Sequence, residues 1–255
     1  MGQLDGKVAV ITGASRGIGR FMAHEFAKEG ADIVVAARSE EQPHEKLPGT
    51  IYATADEVKA LGRRALAVKC DLSSDDDIEN LANQAIAEFG KVDILVNNAG
   101  ILFPGKLVDM VMKRIDLTWR VNVRGALLLT KLLLPNMLKA KEGTVIFISS
   151  SSADALDPGD ISYALSKDAL RTLAEGWSKE TIDDNVRMFS LSPRAWVVTP
   201  GVTFWNDPKD LPADQIEPDE WMGWAGIWLA SDAAKEYNGQ HFFSDDVVKR
   251  YANRV

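Results

Sequence analysis

The chain has 255 residues, 46% of them hydrophobic, enough to fill one large α/β domain as readily as two small ones. Its formal charge of −8 and pI near 5.0 argue against nucleic acid or an anionic membrane as a partner, because an acidic surface attracts neither. A single cysteine, Cys70, excludes an internal disulfide, and three scattered histidines, His24, His44 and His241, offer no metal-ligand spacing.

Taken from the N-terminus, residues 1–7 lack the apolar run of a secretory leader, and no later window is long and apolar enough for a membrane span. Six short runs follow at 8–12, 33–37, 65–70, 94–97, 144–149 and 186–191, rich in β-branched residues and continuously apolar, as strands buried on both faces are. Between them lie helix-length amphipathic stretches at 17–29, 75–89, 111–139 and 162–180. The alternation predicts repeated βαβ units. The expected architecture is a Rossmann-type doubly wound parallel α/β sheet, with 1–255 as a single dinucleotide-binding and catalytic domain. Cys70, in the third run, is expected in a strand.

Two stretches break the pattern. Pro43 and Pro48 keep 39–49 from regular helix, and 200–218 holds Pro200, Pro208, Pro212 and Pro218 around Phe204 and Trp205, which reads as a substrate lid in preference to a disordered loop. Beyond it, Trp221, Trp224 and Trp228 repeat at helical spacing, either a core stripe or a subunit interface. The last residues, 251–255, show no peroxisomal or retention signal, so a soluble protein of a reducing, cytoplasmic compartment is expected.

Chemistry enters at the turn after the first run, where Gly13, Gly17 and Gly19 are spaced Gly-x-x-x-Gly-x-Gly, with Ser15, Arg16 and Ile18 between them. Glycines there permit a tight turn and close approach of backbone to a pyrophosphate, whose charge then meets the N-terminus of the 17–29 helix. At the end of the second strand, where an acid would hold ribose hydroxyls, stand Ala37 and then Arg38. Arg38 and Arg16 could clamp an extra phosphate, so NADP(H) is favoured over NAD(H).

Farther along, Tyr163 and Lys167 share a face of the 162–180 helix at i and i+4. A free phenol with a pKa near 10 is too weak an acid at neutral pH, but an adjacent ammonium and an oxidised nicotinamide would favour its phenolate. Ser150, thirteen residues before Tyr163, falls at the C-terminal end of the fifth strand, where such folds place ligands, and could bind a substrate oxygen; Ser149 is the runner-up.

These residues, with Asn97-Asn98-Ala99-Gly100 and Asn122, resemble the short-chain dehydrogenase/reductase family over essentially the whole chain. The resemblance implies a proton donor in Tyr163, its tuner and ribose anchor in Lys167, a carbonyl-oxygen partner in Ser150 and the holder of a relay water in Asn122. It places Asp71 at the adenine with Leu72 beside it as a coenzyme contact, Asn98, Ala99 and Gly100 along the coenzyme, and residues 193–199, including Pro193 and Thr199, near the nicotinamide carboxamide. It also implies a homotetramer or homodimer built through 111–139 and 162–180. Two departures stand out: Pro193-Arg194 replaces the usual Pro-Gly, and His241-Phe242-Phe243-Ser244-Asp245-Asp246 replaces a Val-Asp-Gly-Gly ending. Both are similar to the hydroxysteroid-dehydrogenase-like branch.

The pocket is expected between Ile101, Leu102 and Phe103, residues 153–157, Arg194, Trp196 and the Phe204-Trp205 lid. A mid-sized apolar or aromatic ketone or secondary alcohol fits such walls, with Arg194 either reading a substrate anion or pairing with a neighbouring acid. Two rivals are a dinucleotide-binding sensor without turnover and an epimerase or dehydratase on the same scaffold. The intact Ser-Tyr-Lys-Asn set weighs against the first and the short C-terminal region against the second.

Overall fold

Five uncharged residues in a row make Val8–Thr12 (β1) a strand that must be covered on both faces, and all five are buried. In the computed structural model, which describes residues 2–252, it lies inside a seven-stranded sheet of order β3-β2-β1-β4-β5-β6-β7. The other strands are Asp32–Ala37 (β2), Ala65–Lys69 (β3), Ile94–Asn97 (β4), Gly143–Ile148 (β5), Val186–Ser192 (β6) and His241–Phe243 (β7). Every neighbouring pair is parallel, with Val10 opposite both Val34 and Leu95. Met1 and 253–255, the end of the tail read for targeting, lie outside the described residues.

Chain direction across the sheet reverses between β1 and β4, so their C-terminal ends open a crevice at the switch point. One face is covered by Gly17–Lys28 (α1), Ile51–Ala60 (α2) and Glu220–Ala230 (α9), whose Met22, Phe26, Ile51, Val58 and Ile227 share one core with β1 and β2. On the other face, Asp75–Phe89 (α3), Ala126–Ala140 (α5) and Ile161–Glu180 (α7) supply Leu81, Leu129, Leu133 and Leu170 to a second core. The remaining helices are Met112–Trp119 (α4), Ser152–Ala155 (α6), Pro200–Trp205 (α8) and Ser244–Arg250 (α10). Among the described residues no helix is long and apolar enough to cross a membrane.

Two departures from the sequence reading have local causes, and two of its stretches find their places. The helix expected at 111–139 begins at Met112 and widens into a π-helical turn over Arg120–Gly125 before α5, in the stretch where Asn122 is bound by both its amide atoms to another loop. Cys70 is buried one residue past β3, not in it. The 200–218 stretch is built, with α8 capped by the Thr199 hydroxyl at 3.3 Å from Val202 N and with Leu211 buried. The tryptophan stripe packs within the chain: Trp228 stacks on Tyr251 at 4.5 Å, and Trp224 Nε1 donates to Glu25 Oε2 at 2.9 Å.

Candidate active site

The strand β5 delivers two serines to the crevice, and their surroundings separate them. Ser149 Oγ donates to the Lys167 carbonyl at 2.8 Å and accepts from Arg171 Nε at 3.1 Å, which spends it on anchoring α7. Ser150 Oγ instead accepts from Ser152 N at 3.1 Å, pairs with Ser152 Oγ at 3.2 Å, and is near enough to the Tyr163 phenol to oppose the rise in its pKa. The hydroxyl that meets Tyr163 is thus that of Ser150.

Lys167, 2% exposed, donates to the Ile148 carbonyl at 2.8 Å and stands 5.5 Å from the centre of the Tyr163 ring. Burial holds the Lys167 ammonium down to about 8. Burial also pushes the Tyr163 phenol up to about 12; the Ser150 hydroxyl opposes that rise and Asp160 adds to it. Among the protein's own groups burial is the largest influence on both, and the oxidised nicotinamide that was to share in lowering the phenol is supplied only by the coenzyme.

Across the crevice Asn122 Oδ1 accepts from Ile101 N at 2.8 Å, while its Nδ2 donates to Ile101 O at 3.0 Å and Ser166 Oγ at 2.9 Å. It fixes the loop after β4 against α7, and a second tie, Gly105 N to Gly159 O at 2.9 Å, closes that wall beside Tyr163. Asn98 turns back to the first turn, its Nδ2 bonding Thr12 O at 2.7 Å, and Ala99 N donates to Thr12 Oγ1 at 3.0 Å.

The glycine turn has the shape a pyrophosphate needs. Gly13 has φ of +67°, and a Cβ there would stand 2.9 Å from Ala99 Cα, so only glycine fits. Ser15 is buried, Ile18 packs on the core, and α1 begins without a side-chain cap, leaving its first N–H groups to a ligand. Thr199, distant in sequence, packs over this turn: a Cβ on Gly17 would be 3.2 Å from that of Thr199.

Around the end of β2, Arg16 reaches Ser39 Oγ at 2.8 Å, Pro48 O at 3.0 Å and Gly49 O at 3.1 Å, tying the irregular 39–49 stretch to the turn. Burial and the charge of Arg38 both lower the Arg16 pKa, so the two guanidiniums strain against each other where an anion would relieve them. Arg38 is largely exposed, 4.0 Å from Asp71, and Asp71 Oδ1 accepts from Ser73 N and Oγ at 2.8 Å each. Leu72 is buried in the core on that side.

Three features here had no periodic signal in the sequence. The two departures noted above meet: Arg194 Nε bonds Asp245 Oδ1 at 2.8 Å, a second nitrogen pairs with Asp246, and the guanidinium lies 4.0 Å from the centre of the Phe243 ring. The acid-pairing alternative for Arg194 is the one the geometry supports. Next to it Glu217, 4% exposed, accepts from Arg194 N at 3.0 Å, Ala195 N at 3.2 Å and the Ser244 hydroxyl, so one carboxylate holds the loop that carries Pro193. A small cavity beside Ser162 is walled by Phe103, Met110, Val111 and Arg114, adding residues 109–118 to the expected pocket.

A short chain dehydrogenase family model matches residues 7–209 of this chain. The chain belongs to the short-chain dehydrogenase/reductase family. It is 38% identical over 254 residues to the oxidoreductase UcpA of Salmonella typhimurium, covering 94% of this chain and 93% of that one. Human hydroxysteroid dehydrogenase-like protein 2 is 44% identical over 148 residues, 58% of this chain and 35% of that protein, in keeping with the branch the sequence resembles. Among solved structures, a 7α-hydroxysteroid dehydrogenase complexed with NADH and 7-oxo glycochenodeoxycholic acid superposes with a TM-score of 0.84 at 31% identity, covering 94% of this chain and 93% of that one. This short-chain dehydrogenase/reductase is therefore an oxidoreductase built to bind a nicotinamide dinucleotide.

Proposed function

We propose that the enzyme interconverts a ketone and a secondary alcohol on a mid-sized apolar or aromatic substrate, using NADP(H). The observation that carries this reading is the buried Lys167 ammonium 5.5 Å from the centre of the Tyr163 ring, at the end of the strand that delivers Ser150. Nicotinamide, when bound, supplies or takes up the hydride. Ser150 and Tyr163 hold the substrate oxygen between two hydroxyls, and Tyr163 gives that oxygen a proton as the carbonyl is reduced. Lys167, buried 5.5 Å from the ring centre, then offsets the charge left on Tyr163. Asn122 fixes the loop wall and would hold the water that relays the proton.

Support for the phosphorylated coenzyme comes from Ala37 where an acid would sit and from the mutual repulsion of Arg16 and Arg38. The NADH in the hydroxysteroid dehydrogenase belongs to that protein. Half-exposed Trp196 and Trp205, with Phe204 packed on Trp205 at 5.1 Å, support an apolar substrate beneath a lid over 200–218. With Arg194 committed to two carboxylates, the substrate needs no anion. Exposed Leu165 on α7 and Trp119 on α4 support assembly as a homodimer or homotetramer, and the free thiol supports a reducing, cytoplasmic setting.

Following reduced-nicotinamide absorbance with a panel of apolar ketones tests the reading. NADPH consumption is expected to exceed NADH consumption at least about 10-fold, and Arg38→Asp to reverse the order. Tight NADPH binding without turnover of any ketone points to a sensor, and isomerised product without net oxidation to an epimerase.

A further inference from the structure

Arg171 stands four residues after Lys167 and eight after Tyr163, so one face of α7 carries all three. Its side chain is only 15% exposed, and its donors are spent on the segment that presents Ser150. Nε bonds Ser149 Oγ at 3.1 Å, one terminal nitrogen bonds Asp154 Oδ1 at 2.7 Å, and the other bonds Asp154 Oδ2 at 2.7 Å and the Ser150 carbonyl at 2.9 Å. That last nitrogen also lies 3.5 Å from Ser192 Oγ at the end of β6. The guanidinium holds the Asp154 carboxyl below the usual carboxylate range.

We propose that Arg171, with Asp154 as its counter-charge, is the positioning residue that holds the Ser150 hydroxyl against the Tyr163 phenol. The inference rests on the function proposed above for that site. Two parallel bonds to Asp154 fix the plane of the guanidinium, and the fixed plane sets the third bond to the Ser150 carbonyl. Ser150 is then gripped at its carbonyl by α7 and at its hydroxyl by the Ser152 amide of α6. Lysine at 171 would keep the charge and lose the fork. If Arg171 serves the reaction through Ser150, its removal adds little further loss in a site that already lacks the Ser150 hydroxyl.

The test uses the full chain with NADPH and the best ketone of the panel, comparing Arg171→Met, Arg171→Lys, Asp154→Asn, Ser150→Ala and the double variant Arg171→Met/Ser150→Ala. Arg171→Met is expected to lower kcat about 10-fold or more, leaving KM for NADPH within about 2-fold, and Arg171→Lys not to restore it. The double variant is expected to lose no more than Ser150→Ala alone. Amide hydrogen exchange over 150–155 reads the clamp without turnover and is expected to quicken in both Arg171→Met and Asp154→Asn. The second of these alters a half-exposed side chain and keeps the test open should the first fail to fold. Losses that multiply in the double variant, or exchange unchanged in both single variants, overturn the proposal. A wild-type chain that binds NADPH but reduces no ketone overturns the proposed function instead, and exchange alone then decides the clamp.

Discussion

Tyr163 is useful only as a phenol, so Tyr163→Phe is expected to lower kcat by about 10²–10⁴-fold while coenzyme affinity, read by fluorescence titration, stays unchanged. Lys167 yields a pH prediction of definite sign. Its folded pKa of about 8 lies below its ordinary 10.5, so below pH 8 the charge is present in both folded and unfolded chains and the folded state bears the full desolvation cost. Between pH 8 and 10.5 the unfolded chain binds more protons, and stability rises with pH. Lys167→Met is accordingly expected to raise the melting temperature of the protein without coenzyme at pH 7, and the gain to shrink towards pH 10. A melting series across that range checks it. At this scale Tyr163, Lys167 and Ser150 were legible from their spacing, and Asn122 only through the family resemblance. Arg171, Glu217 and Asp154 were not, because their partners are 17 to 27 residues away and follow no period.

At the scale of elements, β1 to β6 announced themselves as apolar runs, whereas β7 has only three half-buried residues and follows no such run. The helix α2 was hidden behind Pro43 and Pro48, since nothing in the irregular stretch marks where Thr50 caps its start at 3.1 Å from Ala53 N. The α1–α9 pair shows what composition does once the fold is known. Gly226 lets α9 approach α1 so closely that a Cβ there would be 2.6 Å from Met22 Cε and 3.0 Å from the Phe26 ring. Gly226→Leu is expected to cost about 1–3 kcal/mol, read as a lower denaturation midpoint, because a packed helix interface cannot absorb the added carbons without shifting.

For the whole molecule, the doubly wound plan followed from alternation alone, and the crevice at the β1–β4 reversal is where its glycine turn, asparagines and Tyr163–Lys167 pair converge. The same burial isolates Cys70, whose thiol is pushed up to about 12 and lies beneath the surface. Native protein is expected to leave a thiol-reactive disulfide dye uncoloured at pH 8 and to react with one equivalent on unfolding. The far-reaching feature is the link between Arg194 and Asp245 with Asp246, which joins the loop after β6 to the start of α10. Its two halves sit 51 and 52 residues apart, and the acids are shared with Lys249 and Arg250 one turn further along α10. Take away Arg194, and Lys249 and Arg250 still neutralise the two acids, but the loop after β6 loses its fastening to α10, so the pairing matters as a hinge pin more than as a balance of charge.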